Sequence, residues 1–114
     1  MRITSELFVS QLTRRVFAEG GFAAVVRRGS DMAGAVFVLT RARDGTLTLY
    51  GPAPQIFADE EGGRRFIREA VEDEADLQTR FEREARFDPD FWVVELERDE
   101  VGDLLDLVED EPRD

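Results

Sequence analysis

The sequence predicts an α+β domain: a small antiparallel sheet of four to five strands laid down as a meander, two main helices on one face, and a short C-terminal helix. Three observations lead there. Hydrophobic periodicities run in the order helix, three short strands, a further short segment, helix, strand, short helix. Turn residues, Asp44-Gly45 above all, fold the chain back between strands. The 114 residues, 42% of them hydrophobic, suffice for one core and one domain, assigned to residues 1–108, with residues 109–114 as an acidic disordered tail.

The first helix spans Thr4 to Glu19. Phe8, Val9, Leu12 and Val16 recur at helical spacing, Thr4 or Ser5 can cap it, Glu6 suits the positive end of the dipole, and Gly20-Gly21 ends it. Leu7 and Phe17 lie off that stripe, which predicts cover on more than one side. Phe22–Arg28 and Ala35–Thr40 are β-branched and aromatic runs bounded by glycines, read as two strands joined through Gly29–Gly34 as an antiparallel hairpin. Asp44-Gly45 predicts a type I′ turn into a third strand, Thr46–Tyr50, with Leu47 and Leu49 on one face and Thr46, Thr48 and Tyr50 on a wetter one. Pro52 and Pro54 stop that ladder, and Ile56-Phe57 can resume an extended edge. Arg64–Val71 fits a helix through Phe66, Ile67, Ala70 and Val71, yet its glycine and acid borders also fit a fourth strand; the strand is preferred.

Asp73–Arg86 is the second helix, capped by Asp73 with Asp76 three residues on, and with Leu77, Phe81 and Ala85 on one face. Asp76/Arg80 and Glu82/Arg86 are acid-before-base pairs four apart. Pro89 ends the helix, and Phe91–Glu97 follows as a strand with Trp92, Val94 and Leu96 on one face. Val101, Leu104, Leu105 and Val108 form the stripe of the short acidic C-terminal helix.

Composition excludes several chemistries. There is no cysteine and no histidine, so disulfides, thiol nucleophiles, zinc fingers and histidine acid–base steps are ruled out. Net charge is -11, and all 15 basic residues are arginine. Residues 1–57 hold 7 arginines against 4 acids, and residues 58–114 hold 8 against 22, so the halves carry +3 and -14. That field repels phosphate, which disfavours nucleic acid. Arg14/Arg15, Arg27/Arg28 and Arg41/Arg43 would reverse this only by converging on one face; the preferred reading pairs them with acids or solvent. An acid precedes any apolar run at the start of the chain, and no stretch reaches membrane-spanning length, which predicts a cytoplasmic protein.

Three stretches together resemble the domain-of-unknown-function 1491 family of uncharacterised alphaproteobacterial proteins. They are Thr4–Leu7 leading into Arg14–Ala23, Asp44–Thr46 through Tyr50–Gln55, and Phe87–Glu95. The likeness covers nearly the whole chain and supplies no catalytic or binding residue.

The candidate surfaces are apolar and aromatic. Tyr50, Pro52, Pro54 and Gln55 form a stiffened strip suited to recognition or to a pocket rim, and equally suited to ending a strand. Phe87–Trp92 sets aromatics beside Asp88 and Asp90 without the spacing of a calcium loop. Leu104 and Leu105 lie on the C-terminal stripe, which can dock on a partner or on its own sheet. The three serines sit in no nucleophile elbow, no lysine exists to activate them, and phosphate-loop spacing is absent. Catalytic, metal and cofactor residues are therefore assigned as none, and the enzyme reading is disfavoured. The function predicted is a non-enzymatic protein-interaction module with a protein partner or a homodimer. The alternative is a small-ligand-binding domain or carboxylate-dependent enzyme with a pocket near Tyr50, Gln55 and Trp92. A third idea is that the acidic half mimics nucleic acid towards a basic partner.

Overall fold

A computed structural model describes residues 3–54 and 63–108. The expected edge Ile56-Phe57, the Asp59–Glu61 loop, Gln55 and the tail 109–114 lie outside the described residues. Helix α1 (Ser5–Ala18) begins where Thr4 accepts the Leu7 backbone N–H at 3.2 Å and ends at Gly20, whose φ of 84° only glycine adopts freely. The strands are β1 (Phe22–Arg27), β2 (Ala35–Arg41), β3 (Leu47–Pro52), β4 (Arg65–Arg68), β5 (Phe91–Glu97) and β6 (Asp106–Leu107), with α2 (Glu74–Phe87) between β4 and β5. The Asp73 cap holds as read, accepting the Asp76 N–H at 2.8 Å. The strand reading of 64–71 also holds, as β4.

Among the described residues the sheet is mixed and six-stranded, in the order β1-β5-β2-β3-β4-β6, which corrects the antiparallel four-to-five-strand expectation. β5 inserts between β1 and β2, antiparallel to the first and parallel to the second, so the expected β1–β2 hairpin does not form. The reason lies in Gly29–Gly34. This segment is bound over the start of β5, with Trp92 Nε1–H donating to the Ser30 carbonyl at 2.8 Å and the Ser30 N–H donating to Asp90. It is also tied to α1, whose Ser5 and Glu6 N–H groups donate to the Met32 and Asp31 carbonyls. A Cβ at Gly29 would meet the Phe91 backbone and the Trp92 ring at 2.8 Å, so glycine is what allows that close approach.

The two helices cover opposite faces of the sheet, which corrects the expectation of a single face. Val9, Leu12 and Val16 of α1 pack with Val36, Val38, Tyr50, Phe66, Trp92, Val94 and Leu96. On the other side, Leu77 of α2 packs with Phe37, Leu39, Leu47, Leu49, Phe91 and Val93, with Phe81 and Ala85 against them. Alternation along β2, β3 and β5 is apolar on both faces, as a doubly covered sheet requires. Of the wetter face predicted for β3, Thr46 is exposed and Thr48 half-buried, but Tyr50 is buried.

The β2–β3 turn also departs from the type I′ expectation. Among the described residues no non-glycine has positive φ, and only Gly45, at 92°, takes that conformation in the turn. Gly45 N–H donates to the Ala42 carbonyl at 3.0 Å and Ala42 N–H to the Thr46 carbonyl at 2.9 Å, the pattern of a type I turn closed by a glycine bulge. The β3–β4 ladder runs further than expected: Pro52 pairs with Phe66, and Ala53 N–H still donates to the Arg65 carbonyl. The C-terminal helix is replaced by a single 3-10 turn, Gly102–Leu104, followed by β6 beside β4. Gly102 lies at φ 56° and Leu105 is extended, and Leu104 and Leu105 are still buried together in the core on the α1 side.

Candidate functional site

Tyr50, Trp92, Leu104 and Leu105 do come together, but in the core cluster beneath α1. Burial pushes the Tyr50 phenol above its ordinary value. The Trp92 ring is fully buried, with the Arg28 guanidinium 4.8 Å from its centre. Pro52 and Pro54 are exposed. Of the Phe87–Trp92 aromatics, Phe91 and Trp92 are buried while Phe87 is 85% exposed.

The arginine groups do not pool their charge. Arg15 pairs with Glu19 and Asp103, Arg28 with Glu6 and Asp31, and Arg41 with Glu74 and Glu95. Each of these pairings raises the arginine's pKa, chiefly through the side-chain hydrogen bond to its glutamate. The i, i+4 pairs read for α2 are replaced. Arg80 binds Glu69 at 2.6 Å and Glu84 at 2.9 Å, and the Asp76 carboxylate accepts the Glu72 N–H.

A cleft of about 490 Å³ opens at the carboxyl end of β5, lined by Val16, Glu19–Gly21 and Glu97–Glu100. Several of its polar groups bind neighbours: Arg98 meets Glu19 at 3.5 Å and donates to the Glu100 carbonyl, and Asp99 accepts the Arg43 N–H. Among the described residues no group of three or more acids could hold a metal ion, and no helix is long and apolar enough to cross a membrane.

The most distinctive surface is an edge that sequence reasoning had placed inside a hairpin. Among the described residues β1 ends the sheet, with one side of its backbone unpaired. Phe22, Val25 and Val26 on it are exposed, with Phe17 of α1 edge-on to Phe22 at 5.8 Å. Arg27 donates to the carbonyls of Pro89 and Phe91, tying the other end of β1 to the turn after exposed Phe87. The opposite edge, β6, is two residues long and carries Asp106, the usual protection of a sheet edge. The sequence carried no signal for an edge here: Ala23-Ala24-Val25-Val26 is apolar at every position, the pattern of an interior strand.

The fold and this surface define a small α+β protein whose mixed sheet lies between two helices and is left open along one apolar edge. The chain belongs to the protein family of unknown function DUF1491, whose model matches residues 3–106. It is similar to the solution structure of protein Atu0922 from A. tumefaciens, with 54% identity, 100% of each chain covered and a TM-score of 0.83. It is also similar to the crystal structure of a DUF1491 family protein from Caulobacter crescentus CB15, with 34% identity, 93% of this chain and 99% of that one covered, and a TM-score of 0.75. The chain matches no curated protein.

Proposed function

We propose that the protein is a non-enzymatic, cytoplasmic interaction module that binds a protein chain by adding a strand to β1. The observation that carries this is the open edge itself: six residues without an acid, three exposed apolar side chains, and a second edge that is blunted. Strand addition draws affinity from main-chain hydrogen bonds and specificity from side chains on alternate faces. Nucleic acid is a poor partner for the chain, because Arg15, Arg28 and Arg41 are each engaged by carboxylates.

The test is a pull-down from the native cell lysate with tagged wild-type protein and the Val26→Lys variant, with and without nuclease, at two salt concentrations. Capture of a stoichiometric protein by wild type, insensitive to nuclease and lost in the variant, supports strand addition at β1. Equal capture by both proteins, or no protein partner and no self-association, overturns it.

A further inference from the structure

We infer that the occupant of the β1 edge is a second copy of this chain, paired antiparallel about a two-fold axis at Ala24; this rests on the strand-addition reading above. The register of β1 on β5 supplies the argument. Phe22 and Ala24 lie opposite Glu97 and Glu95, Ala23 and Val25 lie opposite Leu96 and Val94, and a bulge then brings Arg27 opposite Val93. Leu96 and Val94 belong to the α1-side core and Val93 to the α2-side core. Phe22, Ala24 and Arg27 therefore share the α2 face, and Ala23 and Val25 share the α1 face.

An antiparallel two-fold pair needs opposed residues on the same face, so its axis must pass through a residue. With the bulge counted as one step, Phe22, Ala23, Ala24, Val25 and Arg27 satisfy this about Ala24. Phe22 then faces Arg27 of the other copy, Ala23 faces Val25, and Ala24 faces Ala24. The smallest side chain sits where two identical ones must abut. Phe22 packs on the aliphatic stem of Arg27. No like charges are directly opposed across the seam.

Charge does not oppose the same pairing. Among the described residues, neither Arg27 nor Glu97 has a salt-bridge partner. The Arg27 guanidinium stays on its own chain, donating to the Pro89 and Phe91 carbonyls and lying 3.9 Å from the centre of the Phe91 ring, so the row Glu97–Phe22–Arg27 presents the Arg27 stem to the other copy and brings no like charges together. The two Glu95 carboxylates fall three strand spacings apart, about 14 Å, and each already meets its own Arg41 at 3.3 Å. Phe17, Phe22, Val25, Val26 and Phe87 expose apolar surface on the order of 500 Å² per copy, a large part of the ~800 Å² per partner in a stable interface. Their union would join the six strands of each copy into one continuous sheet.

Sedimentation velocity of the full chain from about 1 µM to about 1 mM reads the association directly. Wild type is expected to form a dimer that tightens as salt rises, because two chains of charge -11 repel each other less when screened. Ala24→Lys, which sets two cations together at the axis, is expected to weaken the dimer about 100-fold. Gln78→Lys on the exposed face of α2 is expected to leave it intact. Circular dichroism of both variants separates loss of pairing from loss of fold. A wild type that stays monomeric throughout, or a dimer that Ala24→Lys leaves unchanged, overturns the proposal. A monomer that still captures a different protein in a Val26-dependent way overturns self-pairing alone, whereas a monomer that captures nothing overturns strand addition as well.

Discussion

Gly51→Ala tests how tightly β3, β4 and α2 are locked together. Gly51 lies in β3 opposite Ile67 of β4, and its φ is not in the left-handed region, so backbone strain is not at issue. Space is. A Cβ there would land on Glu69 Oε2 and come within 3.0 Å of Phe37 Cε2. The Glu69 carboxylate cannot simply swing aside. Arg80 Nε holds it at 2.6 Å, Arg80 also binds Glu84 at 2.9 Å, and the three side chains are only 18%, 16% and 14% exposed. The Arg80 guanidinium in turn lies 5.1 Å from the centre of the Phe37 ring. Displacing the carboxylate and crowding Phe37 together cost about 2 to 3 kcal/mol, below the full cost of breaking a dry ion pair because these groups keep some water. Replacing glycine in a strand returns about 0.5 to 1 kcal/mol. The net is a loss of about 2 kcal/mol, a fall in Tm of roughly 6 to 10 °C for a chain of this size. Thermal and urea unfolding followed by circular dichroism measure it. The cost should largely vanish in a Glu69→Ala background, where the obstructing carboxylate is gone. A Gly51→Ala protein as stable as wild type, or a penalty that persists without Glu69, refutes the reasoning.

Two further outcomes follow from the same packing. Tyr50 is the only tyrosine in the chain, and burial raises its phenol above the ordinary 10.0. The neutral form is favoured by folding, so the stability it contributes is present below about pH 10 and lost as pH rises through the folded value. Ultraviolet titration of the phenolate should show a midpoint above that of the unfolded chain, and Tyr50→Phe should remove this part of the alkaline loss; a midpoint equal to the unfolded one would contradict the buried placement. Leu105→Ala should cost about 2 to 3 kcal/mol in urea unfolding, since Leu105 is in the core. A near-zero cost would mean that the C-terminal segment is not docked on its own sheet.

Local elements were legible in the sequence because their causes are local. The Thr4 and Asp73 caps, the Gly20 stop and the alternation of Phe91–Glu97 are set by residues within a few positions of one another. The α1 and α2 boundaries agree with the reading to within a residue for that reason. Arg80 shows the limit. Its sequence neighbour Asp76 was the expected partner, but folding brings Glu69, just past the end of β4, to 2.6 Å.

The sequence by itself determined the family resemblance, the presence of both helices and the five longer strands, the exclusion of cysteine and histidine chemistry, and the opposed faces of Leu49 and Tyr50. Only the tertiary structure decided that β5 lies between β1 and β2, that the helices cover opposite faces, and that Tyr50, Trp92, Leu104 and Leu105 are core residues instead of a surface. The physical reason is that alternation specifies which side chains need burial but not which strand or helix supplies the cover. That choice was made by contacts between residues some sixty positions apart, such as Trp92 with Ser30 and Arg27 with Pro89. The same contacts leave β1 as the open edge on which the proposed activity rests.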